Sequence, residues 1–154
     1  MKSKTINSLV YMLTAMLLAA CTGGTFMYEY HDTPMWGWEQ TDTITFDLPA
    51  ITASGEVEAQ VGVRYTKTYR YKELLMLGTL VCDGNTVQTD TIAISVYRDN
   101  GVNEGQGFPF TTQMQAATTF QVDSGHVYRF QLSHLMQPTP VKGICGIGVK
   151  LRSK

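Results

Sequence analysis

From residue 43 onward, apolar residues fall on every second position, and this alternation restricts the chain more than any other feature. The segment TITFDL (43–48) sets Ile44, Phe46 and Leu48 against threonines and Asp47. EVEAQVGVRYT (56–66) sets Val57, Ala59, Val61, Val63 and Tyr65 against Glu58, Gln60, Gly62 and Arg64. QTDTIAISVYR (88–98) aligns Ile92, Ile94 and Val96, and GHVYRFQLSHL (125–135) aligns His126, Tyr128, Phe130 and Leu132. In GICGIGVKLR (143–152), Cys145, Ile147, Val149 and Leu151 share one side, with Ile144, Gly146 and Gly148 on the other. Successive side chains of a strand point to opposite faces, so each segment reads as a strand with one wet and one dry face. LLMLGTLVC (74–82) is continuously apolar and predicts a strand buried on both faces or a short buried segment. Asp83-Gly84-Asn85 and Asp99-Asn100-Gly101 are turn signals. No long run keeps a helical period. The expectation is an all-β chain: a single antiparallel β-sandwich, jelly-roll or Ig-like, of about seven strands.

The N-terminus follows another logic. Lys2 and Lys4 precede an apolar run from Leu9 to Ala20, broken by Thr14. Such a run is too short to span a bilayer and matches the hydrophobic region of a signal peptide. It ends in Leu18-Ala19-Ala20-Cys21, which looks like a bacterial lipobox. The small residues let the chain extend into a peptidase site, and the Cys21 thiol is the atom that takes the diacylglyceryl group. Residues 1–20 are therefore read as a lipoprotein signal peptide, cleaved before Cys21. Two or three acyl chains on Cys21 anchor stably where one would not. Residues 21–42 are read as the lipidated cysteine and an aromatic-rich tether or loop, with Phe26, Tyr28, Tyr30, Trp36 and Trp38 partly packing on the domain. Residues 43–154 are read as the sandwich.

Removing 1–20 from the 154 residues leaves 134, one domain with room for a real core. Lys2 and Lys4 leave with the signal, so 10 basic residues face 13 acidic ones, formally −3. No basic field for nucleic acid remains. With Cys21 lipidated, Cys82 and Cys145 are an even pair in an oxidising compartment. A disulfide between them would close a loop of about 60 residues, worth ~4 kcal/mol in the chain-entropy model. Two free thiols in apolar strands fit as well.

Catalytic signatures are missing from the sequence. There is no H-x-x-x-H or C-x-x-C spacing and no G-x-S-x-G elbow. His126 and His134 could share a face, but a structural pair is the simpler reading, and no metal is expected. Glu56 and Glu58 are neighbours on one strand, not a carboxylate pair across a cleft. Gly105-Gln-Gly107 has no phosphate-loop context. The most pointed segment is RYTKTYRYKEL (64–74), where Arg64, Lys67, Arg70 and Lys72 interleave with Tyr65, Tyr69 and Tyr71. It fits either an aromatic–basic binding surface or half-packed tyrosines covered by snorkelling basic stems.

The ordered motifs resemble the GldH family of gliding-motility lipoproteins. The likeness runs from the lipobox through FDLP (46–49) and VGVRYTKTYRYKEL (61–74), similar to the family's Arg followed by Tyr-x-Tyr and a leucine. DTIAISVYRDNGVNEGQGFP (90–109) is similar to its strand, D-x-x-G and G-x-G stretch. GHVYRFQLSHLMQPTPVKGICGIGVKL (125–151) is similar to its Gly-x-Tyr-x-Phe strand, His-x-Met element and closing glycine-rich strand. Val102 and Asn103 stand where the family has an aromatic, and Gln137 stands where it has an arginine. The resemblance implies a non-enzymatic envelope lipoprotein that serves gliding motility or the type IX secretion machinery, although such members also occur in bacteria that do not glide. Its partners would be the membrane, through the lipid, and other envelope proteins, with no nucleic acid and no cofactor beyond the acyl chains. Arg64, Tyr69, Arg70, Tyr71, His134 and Met136 are the expected partner surface. The alternative is a glycan-binding sandwich that stacks sugars on Trp36, Trp38, Tyr69 and Tyr71. Thr22-Gly23-Gly24-Thr25 after the lipobox carries no acidic cluster, which predicts an outer-membrane lipoprotein facing the periplasm.

Overall fold

A computed structural model describes residues 24–137 and 139–154. Cys21 and the signal segment lie outside the described residues. Eight strands follow one another: β1 (Thr25–Asp32), β2 (Ile44–Asp47), β3 (Gly55–Tyr65), β4 (Glu73–Cys82), β5 (Asn85–Ser95), β6 (Thr111–Val122), β7 (Tyr128–His134) and β8 (Ile144–Ser153). They form two four-stranded sheets of order β1-β8-β3-β6 and β2-β7-β4-β5. Every pairing is antiparallel. Successive strands swap sheets except at the β4–β5 hairpin, which is the jelly-roll arrangement and settles the choice against the Ig-like one.

Alternation is realised as predicted in β3, where Val57, Ala59, Val61, Val63 and Tyr65 are buried and face the other sheet. Ile147, Val149 and Leu151 of β8 and Phe130 and Leu132 of β7 meet them in one continuous core. Strand β4 departs from its continuous apolar pattern. Leu74, Met76 and Leu80 are buried, but Leu75 is exposed and Leu77 and Val81 are half-buried, so only one face is fully dry. The Asp83–Gly84 turn is realised with φ of 49° and 85°, the left-handed pair that a two-residue hairpin demands.

Within the segment read as a lipidated cysteine and tether or loop (21–42), the reading is corrected for 25–32, residues 21–23 lying outside the described residues. Residues 25–32 are a full strand at the sheet edge, laddered on β8 from Thr25↔Arg152 to Asp32↔Gly146. The ladder is made possible by two glycines. Tyr30, Gly148, Gly62 and Met114 lie in one row across β1, β8, β3 and β6. A Cβ at Gly148 would stand 2.5 Å from the Tyr30 ring, and one at Gly62 would stand 2.2 Å from its hydroxyl. The Tyr30 ring thus lies flat over the sheet in a trough that only glycine leaves open.

The sandwich has two distinct ends. Gly24, Gly55, Val122 and Ser153 mark one: the Gly24 carbonyl accepts from Ser153 N, and Gly55 pairs with Val122. Asp32, Tyr65, Glu73 and Ile144 mark the other. Cys82 belongs to the first end, opposite Tyr128, and Cys145 to the second, beside the end of β3. Both are free thiols. A ten-residue strand such as β4 is about 30 Å long, whereas the two Cα atoms of a disulfide stand within about 7 Å. A Cys82–Cys145 bond is therefore geometrically closed, and the free-thiol alternative is the one the fold adopts.

His126 and His134 are separated in the same way. His126 sits in the turn before β7 and His134 closes that strand, so the two stand at opposite ends and cannot share a ligand. His134 is fully buried. Its Nδ1 accepts from Met136 N at 3.2 Å and its Nε2–H donates to the Trp38 carbonyl at 2.9 Å. Both nitrogens are used by the neutral ring, and a proton on Nδ1 would face an N–H donor. Burial first lowers its pKa from the ordinary 6.5, against the pull of the Trp38 carbonyl and of Glu39. Between the folded and ordinary values the unfolded chain binds more protons than the folded one. Stability is then full above about pH 6.5 and falls as pH drops through it, by at most ~1.4 kcal/mol per unit. Thermal unfolding between about pH 8 and pH 5 should show this loss, and His134→Gln should flatten it. His126 acts in the opposite sense, because its hydrogen bond to Asp83 raises its pKa. The comparison is therefore made in a His126→Gln background, and an unchanged profile for His134→Gln would refute the assignment.

Candidate functional site: a cleft at the Asp32 end

Strand ends and loops converge at the second end on a half-open cleft of about 440 Å³. It is lined by Asp32 and Thr33 after β1, Arg64 of β3, Thr66 and Thr68 of the following loop, and Gly143, Ile144 and Cys145 at the start of β8, with Met35 and Phe110 at its margin. The walls are tied by backbone bonds. Thr33 N–H donates to the Cys145 carbonyl at 3.1 Å and its hydroxyl donates to the Ile144 carbonyl at 2.7 Å. Thr66 N–H donates to the Gly143 carbonyl at 2.8 Å.

Arg64 supplies the charge. Its guanidinium lies over the Tyr30 ring, 3.9 Å from the centroid, a cation–π contact that holds the charged plane flat. The stack is itself supported by the glycine trough beneath Tyr30. Burial, with Tyr28 alongside, pushes the Tyr30 phenol up to about 12, although Arg64 pulls the other way. Tyr30 therefore stays neutral and presents Arg64 with a π face. Asp32 adds a carboxylate next to the cation, and the Thr66 and Thr68 hydroxyls sit 2.6 Å apart on the loop side. Burial and then Asp32 push the Cys145 thiol up, so it stays protonated and is a poor nucleophile. The lining combines one cation, one carboxylate, hydroxyls and apolar margins. It suits recognition of a mixed polar and apolar segment.

The sequence-derived surface is divided by the fold. Arg64 lines the cleft, and Arg70 and Tyr71 are exposed beside it with Thr68, Thr139, Pro140 and Lys142. Tyr69, His134 and Met136 are core residues instead. Tyr69 donates its hydroxyl to the Glu73 carbonyl at 2.7 Å, and burial raises its pKa beyond the ordinary phenol range. Met136 turns its sulfur toward Leu75 N–H at 3.3 Å. The tyrosine ladder packs as Tyr65–Tyr69–Tyr71, with ring centroids 6.4 and 5.5 Å apart, and buries two of the three rings. The aromatic platform is divided as well: Trp36 is 71% exposed and Trp38 0%. Asp32, Thr33, Phe110 and Cys145 were not singled out for the site. The pairing of β1 with β8 brings Asp32 and Thr33 to Arg64, that of β8 with β3 brings Cys145, and that of β6 with β3 brings Phe110.

No curated protein sequence matches this chain. Among solved structures, Xyl-CBM35 in complex with a glucuronic acid-containing disaccharide aligns with TM-score 0.44 and 17% identity over 83% of this chain and 76% of that one. CBM35 from Cellvibrio japonicus Abf62 aligns with TM-score 0.41 and 14% identity over 87% and 93%. Dimeric latent PorU from Porphyromonas gingivalis aligns with TM-score 0.37 and 14% identity over 82% of this chain but 12% of that one. The GldH lipoprotein family matches residues 25–151, from the first residue of β1 into β8. That span takes in both sheets and every residue of the cleft, and the chain belongs to the GldH lipoprotein family.

Proposed function

We propose that this GldH-family lipoprotein is a non-enzymatic accessory of the cell envelope, anchored through Cys21 and docking a protein partner at its Asp32 end in the service of gliding motility or type IX secretion. The observation that carries the reading is the opposition of anchor and cleft. Cys21 lies three residues before Gly24, which marks one end of the sandwich, and the cleft occupies the other. A lipidated chain would hold its Gly24 end toward the membrane and its cleft away from it. Exposed Met35, Trp36, Phe108 and Phe110 lie in the loops that follow β1 and precede β6. Apolar residues next to an arginine suit a protein interface, where aromatic and arginine anchors dominate. The raised Cys145 thiol and the make-up of the lining support a binding role over a catalytic one. Burial of Trp38 and Tyr69 dismantles the four-ring platform on which the glycan reading rested.

Affinity purification from crosslinked envelopes at native expression should recover motility or secretion proteins. Arg64→Glu with Phe110→Ala should abolish that recovery while leaving abundance unchanged; recovery of none by the unaltered chain would sink the proposal. The outer-membrane, periplasm-facing placement predicts that protease applied to intact cells spares the domain. Cys21→Ser should leave a longer, unlabelled precursor when cells are fed a labelled fatty acid. Normal acylation and processing of that variant would remove the anchor from the reading.

A further inference from the structure

The Gly24 end carries a cluster of different chemistry. Cys82 closes β4, Asp83 opens the hairpin turn, and His126 stands in the loop between β6 and β7. One ligand-type atom from each lies within 4.8 Å of the others. Cys82 and Asp83 are adjacent and His126 lies 43 residues further on, yet the three are held together before any ligand arrives. Asp83 N–H donates to the Val127 carbonyl at 2.9 Å, and Val127 N–H donates back to Asp83 Oδ1 at 2.9 Å. This reciprocal pair staples the hairpin to the second loop. It also fixes the carboxylate by one oxygen and turns the other, Oδ2, to His126 Nδ1 at 2.6 Å. The left-handed Asp83 backbone, with φ of 49°, aims that side chain across the turn.

We propose that Cys82 Sγ, Asp83 Oδ2 and His126 Nδ1 form a three-ligand zinc site with a fourth position open. The donor set decides the metal class. A thiolate and an imidazole favour zinc over the hard cations calcium and magnesium. Thiolate and carboxylate together balance a divalent charge, and the imidazole binds as the neutral ring. Bond lengths of about 2.0–2.3 Å in a tetrahedron place ligand atoms about 3.3–3.7 Å apart, inside the observed spread. His126 and Asp83 would separate by under ~1 Å as the ion replaces the proton between them. Binding releases the Cys82 thiol proton and clears His126 Nδ1, whose proton leaves to solvent from the imidazolium or moves to Nε2 in the neutral ring. Asp123, close enough in the same loop to act on His126, adds a further negative field. The Val127 amide on Asp83 Oδ1 is the outer-shell bond that orients a ligating carboxylate.

The test uses the full chain, purified from membranes in detergent and titrated with zinc and with cobalt as a coloured substitute. One equivalent should bind, and the cobalt form should show a thiolate-to-metal charge-transfer band. Cys82→Ser should lose the band, and His126→Gln should weaken zinc binding at least ~10-fold. Asp83→Asn is the informative third variant, because asparagine tolerates the left-handed turn and so preserves the fold. It should weaken binding without lowering the melting temperature of the metal-free chain. Cys145→Ser, at the far end, should leave both readouts unchanged. Absence of a bound equivalent, a band that survives Cys82→Ser, or a band lost in Cys145→Ser would each overturn the site.

Discussion

Trp38→Ala should destabilise the domain by about 3–5 kcal/mol, the range for removing a fully buried tryptophan. Trp38 is the largest fully buried side chain, yet it comes from a connecting segment between β1 and β2. Its backbone forms an isolated antiparallel bridge with Val141, donating at 3.0 Å and accepting at 2.8 Å. Its carbonyl also accepts from His134, and its ring packs edge-on against the same imidazole at 5.1 Å between centroids. The indole N–H donates to the Asp42 carbonyl at 3.0 Å. One residue thus ties the 33–43 connection to the loop before β8 and covers the buried histidine. Trp38→Phe keeps most of the apolar contact and loses the indole bond, so it should cost only about 1–2 kcal/mol. Urea unfolding measures both. Trp36, being exposed, gives Trp38→Ala a red-shifted emission that marks the loss of the buried fluorophore. A cost below about 1 kcal/mol for the alanine variant would mean that the 33–43 segment is not part of the cooperative core.

Gly143→Ala should cost about 2–4 kcal/mol, from two separable causes. Gly143 has φ of +88°, where a side chain is strained by about 1–3 kcal/mol. Its added Cβ would also meet backbone: Tyr69 N at 2.3 Å and Tyr69 Cα at 2.7 Å. Backbone cannot swing aside as a side-chain tip can. Relief would pull apart the Thr66–Gly143 hydrogen bond and the Thr66–Tyr69 turn, and the cleft would lose its loop wall. Gly125 supplies the control. Its φ is +83°, but a Cβ there meets nothing within 4 Å. Gly125→Ala therefore reports the backbone strain alone, and the excess for Gly143→Ala reports the clash. Equal losses at the two sites would show that the loop yields, and would remove Gly143 as the keystone of the cleft.

These two residues also show what could be read from the sequence. The core of β3, β5, β7 and β8 was legible, because one dry face imposes a period of two on its side chains. The hairpin was legible because Asp83-Gly84 is the turn its twist demands. Strands β1 and β6 were not. TFMYEYHD has large residues on both faces, since Tyr30 lies on the outer surface over Gly148 and Gly62, and so it shows no clean alternation. Strand β6 is rich in threonine and glutamine and carries few apolar positions. Of the residues expected at a partner surface from their basic and aromatic interleaving, Arg64 lines the cleft, and Arg70 and Tyr71 stand exposed beside it. Tyr69, His134 and Met136 were misplaced because a motif does not say which way a loop folds over a strand end. Asp32 and Cys145 come together only through the β1–β8 register, which is a long-range property.

The nearness of Cys21 to β1 has a further consequence for how a partner is met. Four peptide steps separate Cys21 from Thr25, and a chain that short reaches at most about 14 Å. Strand β1 then runs eight residues, or about 26 Å, to the cleft. A lipidated chain would behave as a short post on a tight leash, with its binding end held at a nearly constant height above the leaflet. It could not search a volume. Encounter would be a two-dimensional problem, governed by lateral diffusion and by whether the other protein offers its epitope at that level. Inserting residues between Cys21 and Gly24 would leave the Gly24–Ser153 hydrogen bond and the sandwich intact, yet it would alter which neighbours the cleft can reach.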